Sequence, residues 1–272
     1  MNAASAVKKL FGDIEKRNIV QATCLECNAS FENYDLYKNG ELITNVNDDI
    51  CATCKRKIED AEMVRNIMKQ REERKYIKYY QFSVLPTDLD HAALDNYIPK
   101  TESQNDALKT IEEFISGSHE KTTMFFQGDT GVGKTHLSVS VFKEFEKNRK
   151  PAIFIDLPSL LASIRDTYSG RSDMTQDRIM QLIKDCELFV LDDIGAEYVK
   201  SDASGFESWT ADILFQIVNA RQGKQNIYTT NFKSKYLNEK YGMMSKRIIS
   251  RLMNNAKVIK VDGKDHRLEG LD

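Results

Sequence analysis

No stretch of the 272-residue chain approaches eighteen consecutive apolar residues, which excludes a sequence segment of the kind that crosses a bilayer as a helix. The N-terminal sequence MNAASAVKKLFGDIEK lacks the long apolar core of a secretory signal. A cytoplasmic protein without membrane contact is therefore expected. There is no excess of charge of either sign, because 39 Lys and Arg face 41 Asp and Glu for a net charge of -2. That balance argues against a uniform basic coat for nucleic acid. Internal repeats and low-complexity tracts are missing as well, which excludes repeat architectures. What remains is 41% hydrophobic and 29% charged, the composition of a globular protein with a real core. The length accommodates one large domain or two ordinary ones.

Cysteine is scarce too, and its placement is uneven. Four of the five cysteines form two C-x-x-C pairs, Cys24/Cys27 and Cys51/Cys54. Each pair can place two thiolates on one metal edge, and two pairs complete a tetrahedral Zn²⁺ site with no open position. The role expected of that zinc is structural. The 23 residues between the pairs contain FENYDLYKNGELITNVNDD, which reads as a hairpin turning at Lys-Asn-Gly. So small a module buries little core, and zinc supplies about 10–16 kcal/mol toward folding it. Residues 55–80 contain no Gly or Pro and read as one long helix. Residues 1–80 are thus expected to form a zinc-binding domain with a long helix. Residues 81–100, with Pro86 and Pro99, read as a linker.

From residue 101 the pattern alternates. Strands are expected at 122–127, 152–156, 188–193, 226–231 and 257–261. Helices are expected at 101–116 (with Thr101 as N-cap), 135–148, 157–168, 177–185, 209–221 and 245–254. Alternation of this kind specifies an α/β domain over 101–272, a parallel sheet flanked by helices. Ligands of such sheets bind beyond the carboxyl ends of the strands.

Residues 128–135 read Gly128-Asp129-Thr130-Gly131-Val132-Gly133-Lys134-Thr135, the G-x-x-x-x-G-K-T of a phosphate-binding loop. The glycines let successive N–H groups converge on phosphate oxygens, and the helix that follows aims its positive dipole end at them. Lys134 brings a mobile charge to the β- and γ-phosphates, and Thr135 offers a hydroxyl to Mg²⁺. His136, next in the chain, is counted with the nucleotide-binding residues. The run LFVLDDIG (188–195) is a buried strand ending in two acids. Asp192 is the expected second Mg²⁺ ligand. Asp193 is the candidate for the attacking water, provided the strand ends there, because adjacent strand residues point to opposite faces. Asn231, in NIYTTNF, is a candidate contact for the γ-phosphate or the attacking water.

These motifs, with R-I-I-S-R-L at 247–252, resemble the AAA+ ATPases of the DnaC/DnaI helicase-loader group and its relative, the IstB transposition ATPase. The likeness covers roughly residues 101–268. It departs at Asp193, where Glu is usual, and the sequence stops soon after the last strand without a helical lid, a truncation that the loader group shares. The resemblance implies ATP-dependent loading of a replicative hexameric DNA helicase onto single-stranded DNA, with ATP held between self-associated subunits. The N-terminal region would contact the helicase, with DNA binding through the zinc module as the competing possibility. Arg251 would act as an arginine finger on a neighbour's nucleotide, and Arg267 as a sensor in cis. The alternative is an IstB-like ATPase assisting a transposase.

Charge is spread unevenly despite the balanced total. Residues 221–257 carry nine basic residues and one acid, Glu239, a stretch able to line a channel for single-stranded DNA. Arg165, Tyr168 and Arg171, around a Ser-Gly turn, combine cations with an aromatic and are a second candidate for strand contact.

Overall fold

A computed structural model describes residues 13–170, 173–197 and 206–268. The chain divides into two compact units, Met1–Glu72 and Glu73–Asp272.

The first unit is a three-stranded antiparallel sheet in the order β1 (Ile14–Thr23), β2 (Ser30–Lys38) and β3 (Glu41–Val46). The turn from β2 to β3 is Asn39-Gly40, at φ 52° and 89°, the paired positive angles of a tight hairpin turn. β1 was not legible in the sequence: IEKRNIVQAT is nearly all exposed and its register breaks between Arg17 and Val20. Helix α1 (Ala52–Phe82) begins among the second cysteine pair.

The second unit is built on five parallel strands in the order β5-β6-β7-β4-β8. These are β4 (Thr123–Gln127), β5 (Ala152–Asp156), β6 (Leu188–Asp192), β7 (Gln225–Thr230) and β8 (Ala256–Lys260). Alternate side chains go to opposite faces. Phe125, Ile153, Phe189, Leu191 and Tyr228 face one apolar layer, and Met124, Phe126, Phe154, Val190 and Ile227 face the other. The first layer is closed by α4 (Leu157–Tyr168), α5 (Gln176–Asp185), α6 (Phe206–Ala220), α7 (Ser234–Lys240) and α8 (Ser245–Leu252). The second is closed by α2 (Glu102–Ser116) and α3 (Lys134–Lys147). Thr101 caps α2, accepting from the Gln104 amide.

Residues 81–100, expected as a linker, are packed instead. Ala92 and Tyr97 are buried in the α2/α3 layer, with Tyr80, Leu85 and Leu89 against it. Val84 N–H donates to Phe154 O at 2.8 Å and Ser83 Oγ accepts from Phe154 N at 3.1 Å, so this segment covers the outer edge of β5.

The expected basic stretch also changes meaning. Arg221, its first residue, is wholly buried. Its guanidinium donates to the carbonyls of Ile183 (3.0 Å), Cys186 (2.6 Å), Glu187 (3.1 Å) and Gln225 (2.7 Å), and to Asn226 Oδ1 (2.8 Å). It ties the end of α5 to the start of β7 and is closed to DNA. Arg221→Met should strand several buried carbonyls and lower stability by roughly 2–4 kcal/mol, read by chemical denaturation. Lys235→Met, on the exposed face of α7, should change it by less than about 0.5 kcal/mol.

Candidate functional site

β4, β6 and β7 end side by side at the carboxyl edge of the sheet. The Gly-rich loop leaves β4 there, and α3 starts at Lys134 with Gly133 as its N-cap at φ 99°. Gly131 sits at φ 78°; both angles belong to the left-handed region that favours glycine. At Gly128 the requirement is space, since a Cβ would stand 1.9 Å from the Val261 carbonyl oxygen.

A cavity of about 570 Å³ opens over this loop. Thr130, Gly131, Gly133, Lys134, Thr135 and His136 line it from the loop and α3, and Asp192, Asp193 and Asn231 from the ends of β6 and β7. His266 and Arg267 contribute from the C-terminal segment, and Pro86, Leu89, Tyr97 and Ile98 from the segment before α2. Gly128, Asp129 and Val132 do not line it; the Val132 side chain is buried in the core.

Lys134 Nζ donates to the carbonyls of Gly128 (3.0 Å) and Asp129 (2.7 Å). Burial pulls its pKa below the usual lysine range, opposed by the carboxylates of Asp193, Asp192 and Asp129. Thr135 Oγ1 donates to Asp192 Oδ2 at 3.1 Å. These hard oxygen donors at the phosphate loop fit Mg²⁺. Burial pushes the Asp192 carboxyl up to about 6, with Asp193 adding to the rise, while hydrogen bonds from Thr229 and Thr135 oppose it.

Strand β6 ends at Asp192, and Asp193 adopts φ 53°. That left-handed residue breaks the alternation and brings both acids to one cavity. Thr229, on β7, holds the break: its Oγ1 donates to Asp192 Oδ1 at 2.5 Å and accepts from Asp193 N–H at 2.9 Å. Asn231 Nδ2 donates to Asp193 Oδ1 at 2.9 Å. His136 Nε2 meets Asn96 Oδ1 at 3.0 Å and Ala93 O at 3.2 Å, fastening α3 to the segment before α2.

Arg251 lies elsewhere. With Arg247 it flanks the Phe215 ring, at 4.4 and 5.3 Å, and its Nε donates to Asn219 Oδ1 at 2.8 Å; neither arginine lines the cavity of its own chain. Arg165 stacks over Trp209 at 5.0 Å, and the Tyr168 ring meets the same indole edge-on at 6.4 Å. Arg171 lies outside the described residues.

In the first unit the sulfurs of Cys24, Cys27, Cys51 and Cys54 all lie within 4.8 Å of one another, and those of Cys27 and Cys51 are 3.8 Å apart. A tetrahedron with Zn–S of about 2.3 Å has edges of about 3.8 Å, so the set is consistent with zinc. The turn at the first pair closes through Asn28 N–H on Cys24 O at 2.9 Å, and Cys51 N–H donates to Cys24 Sγ at 3.2 Å.

Sequence reasoning missed Thr229 and the residues of 86–98 as parts of the site. The prolines at 86 and 99 drew attention away from Tyr97, whose aromatic ring was the available signal.

A phosphate loop between strand and helix, with paired acids at the end of the strand one removed from it in a five-stranded parallel sheet, defines a P-loop nucleotide-binding protein of the AAA+ type. The sequence pattern of the IstB-like ATP binding proteins matches residues 42–270, and the chain belongs to that family. It is 24% identical over 108 residues to the replicative helicase loader DnaC of Buchnera aphidicola subsp. Acyrthosiphon pisum (strain APS), covering 39% of this chain and 44% of that protein. It is 27% identical over 164 residues to the ATP-binding protein of insertion sequence IS232 from Bacillus thuringiensis subsp. berliner, covering 58% and 62%. The chain thus spans about half the length of these curated relatives. The crystal structure of the DnaC helicase loader shares the fold at 24% identity, with a TM-score of 0.54 over 65% of this chain and 100% of that one. Among the described residues no helix is long and apolar enough to cross a membrane.

Two measurements bear on these sites. Metal analysis should find one zinc per chain, and Cys24→Ser should lose it and unfold the first unit alone; a natively folded, zinc-free preparation contradicts the module. For Asp192 the folded pKa lies above the usual carboxylate value of 3.8. Its ionisation therefore costs stability that begins to be lost above pH 4 and levels off once pH passes about 6. Asp192→Asn should raise the melting temperature of metal-free protein at pH 8, with the gain vanishing by pH 4.

Proposed function

We propose that the chain is an ATP-dependent loader that places a replicative hexameric DNA helicase on single-stranded DNA. The observation that carries this reading is a nucleotide site joined in one chain to a zinc unit fit for gripping protein. Over residues 13–49 that unit has eight acids and three bases. It exposes Ile14, Ile19, Val20, Leu25, Leu42 and Ile43. That sheet region repels a phosphate backbone and suits an apolar protein face with a basic rim, whereas the helix that follows carries nine basic residues against five acids over residues 55–80.

In the nucleotide-binding unit, Thr135 and Asp192 would hold Mg²⁺, which would neutralise phosphate charge, and Lys134 would pair with phosphate oxygens. Asp193, steadied by Asn231, orients the attacking water. Arg267 touches the nucleotide in cis. Arg251 faces away from its own cavity and serves that of a neighbouring protomer, where an arginine finger is worth about 10³–10⁵-fold in rate. Arg165 and the exposed Tyr168 offer a cation and an aromatic ring on which bases of a single strand stack. ATP and ADP states differ at Asn231 and Arg251, and that difference drives release of the loader.

A second reading, an ATPase that assists a transposase, draws on the likeness to the IS232 protein, 27% identical over 58% of the chain. Affinity purification separates the two. The loader reading expects a hexameric helicase to be captured; capture of a transposase with duplex DNA in its place supports the second. Lys134→Ala should abolish nucleotide binding in either case. Arg251→Ala should lower turnover while sparing ATP binding, and mixing it with Asp193→Ala should restore part of the lost rate, because one mixed interface is then complete. Absence of that complementation overturns the shared site.

A further inference from the structure

Gln104 is wholly buried in the first turn of α2. As the third residue of the helix it completes the capping box with Thr101. Its Oε1 accepts from the backbone N–H of Thr101 at 3.2 Å and of Lys100 at 2.6 Å. Capping needs only an acceptor, so it leaves the side-chain nitrogen unexplained. That nitrogen donates to Val132 O in the phosphate loop at 3.2 Å and lies 3.4 Å from His266 Nε2. An amide NH₂ has donors alone, so the imidazole nitrogen accepts. All four hydrogen-bonding positions of one side chain are thus used, on three separate segments.

Each of those segments walls the same cavity: Lys100 before α2, Gly131 and Gly133 around Val132, and His266 with Arg267 in the C-terminal stretch. The C-terminal stretch is fastened to the loop as well, by His266 N–H on Gly131 O at 3.1 Å. It passes close over the Gln104 amide, since a Cβ on Gly263 would stand 2.9 Å from Gln104 Nε2.

We propose that Gln104 is a positioning residue that sets the phosphate loop for nucleotide. The peptide between Val132 and Gly133 is planar and trans, so its C=O and N–H point in opposite directions. Holding the Val132 carbonyl against α2 fixes the direction of the Gly133 amide, at the residue that caps α3 and lines the cavity. The same grip keeps His266 and Arg267 in register with the loop. This inference rests on the reading of the cavity as a nucleoside-triphosphate site.

The test exploits the two halves of the side chain. Gln104→Glu keeps the acceptor that capping requires but, ionised, cannot donate to Val132 O. Gln104→Met removes both halves without adding charge. Thr101→Ala weakens the cap from its other side, leaving the donor in place. ATP and ADP affinities of the full chain are measured by titration calorimetry, with melting temperature alongside. Both Gln104 variants should bind both nucleotides about tenfold or more weakly, with KM for ATP rising further than kcat falls. Thr101→Ala should stay near wild-type affinity even where it melts as low as they do. Wild-type affinity in Gln104→Met, or an equal loss in Thr101→Ala, overturns the positioning role. If Gln104→Glu does not fold, the Met and Thr101 variants still decide. Failure of the wild-type chain itself to bind nucleotide, or full binding by Lys134→Ala, sinks the underlying reading of the cavity instead.

Discussion

Asp192 and Asp193 are consecutive, and an extended chain sends consecutive side chains to opposite faces of a sheet. A site that uses both acids must break the strand between them. Here the break is Asp193 at φ 53°, a conformation that costs an L-residue free energy unless its surroundings enforce it. Thr229 enforces it: one buried hydroxyl donates to the first acid and accepts from the amide of the second. Ile194 N–H then rejoins the neighbouring strand on Thr229 O at 2.9 Å. The bend is thus written across two strands, and it exists only because β7 pairs with β6. Strand order and site chemistry are one constraint.

That explains what could be read from residues alone. Short apolar runs such as TMFFQ and LFVLD announce buried strands, and the gaps between them hold helices of ordinary length. The loop at 128–135 is legible because its spacing is its chemistry. Thr229 is not, because its role depends on the partner strand. The segment before α2 misled for a local reason: Pro86 and Pro99 mark irregular backbone, and irregular backbone was equated with a linker. Ala92 and Tyr97 show that an irregular segment can be core. β1 escaped notice because nearly every residue in it faces water, so it has no apolar period to detect.

Charge counting misled in a similar way. Arg221 and Lys134 are both buried cations whose side chains donate to backbone carbonyls, yet they do different work. Arg221 spends its donors on fixed carbonyls and one amide oxygen deep in the core, and among the described residues no carboxylate pairs with it. It is a structural clasp. Lys134 lines an open cavity with Asp192 and Asp193 close by, and its ammonium is held on two loop carbonyls by a flexible stem. It is free to exchange those carbonyls for phosphate oxygens without disturbing the core. Position relative to solvent, not sign, separates the two.

The same distinction bears on the choice of partner. A phosphate loop and paired acids are equally serviceable to a helicase loader and to an ATPase that attends a transposase. The chemistry of the cavity is common ground, so the difference between such proteins must be carried by surfaces outside it. The family match begins at residue 42 and leaves out Cys24, Cys27, β1 and β2. Within residues 13–49, that excluded region holds six of the eight acids and four of the six exposed aliphatic side chains. A metal that holds a small sheet rigid lets it display apolar groups to water without a core of its own to bury them. Under the proposed reading, the nucleotide-binding unit would carry the strand-directed chemistry and the four-cysteine unit the selectivity for protein.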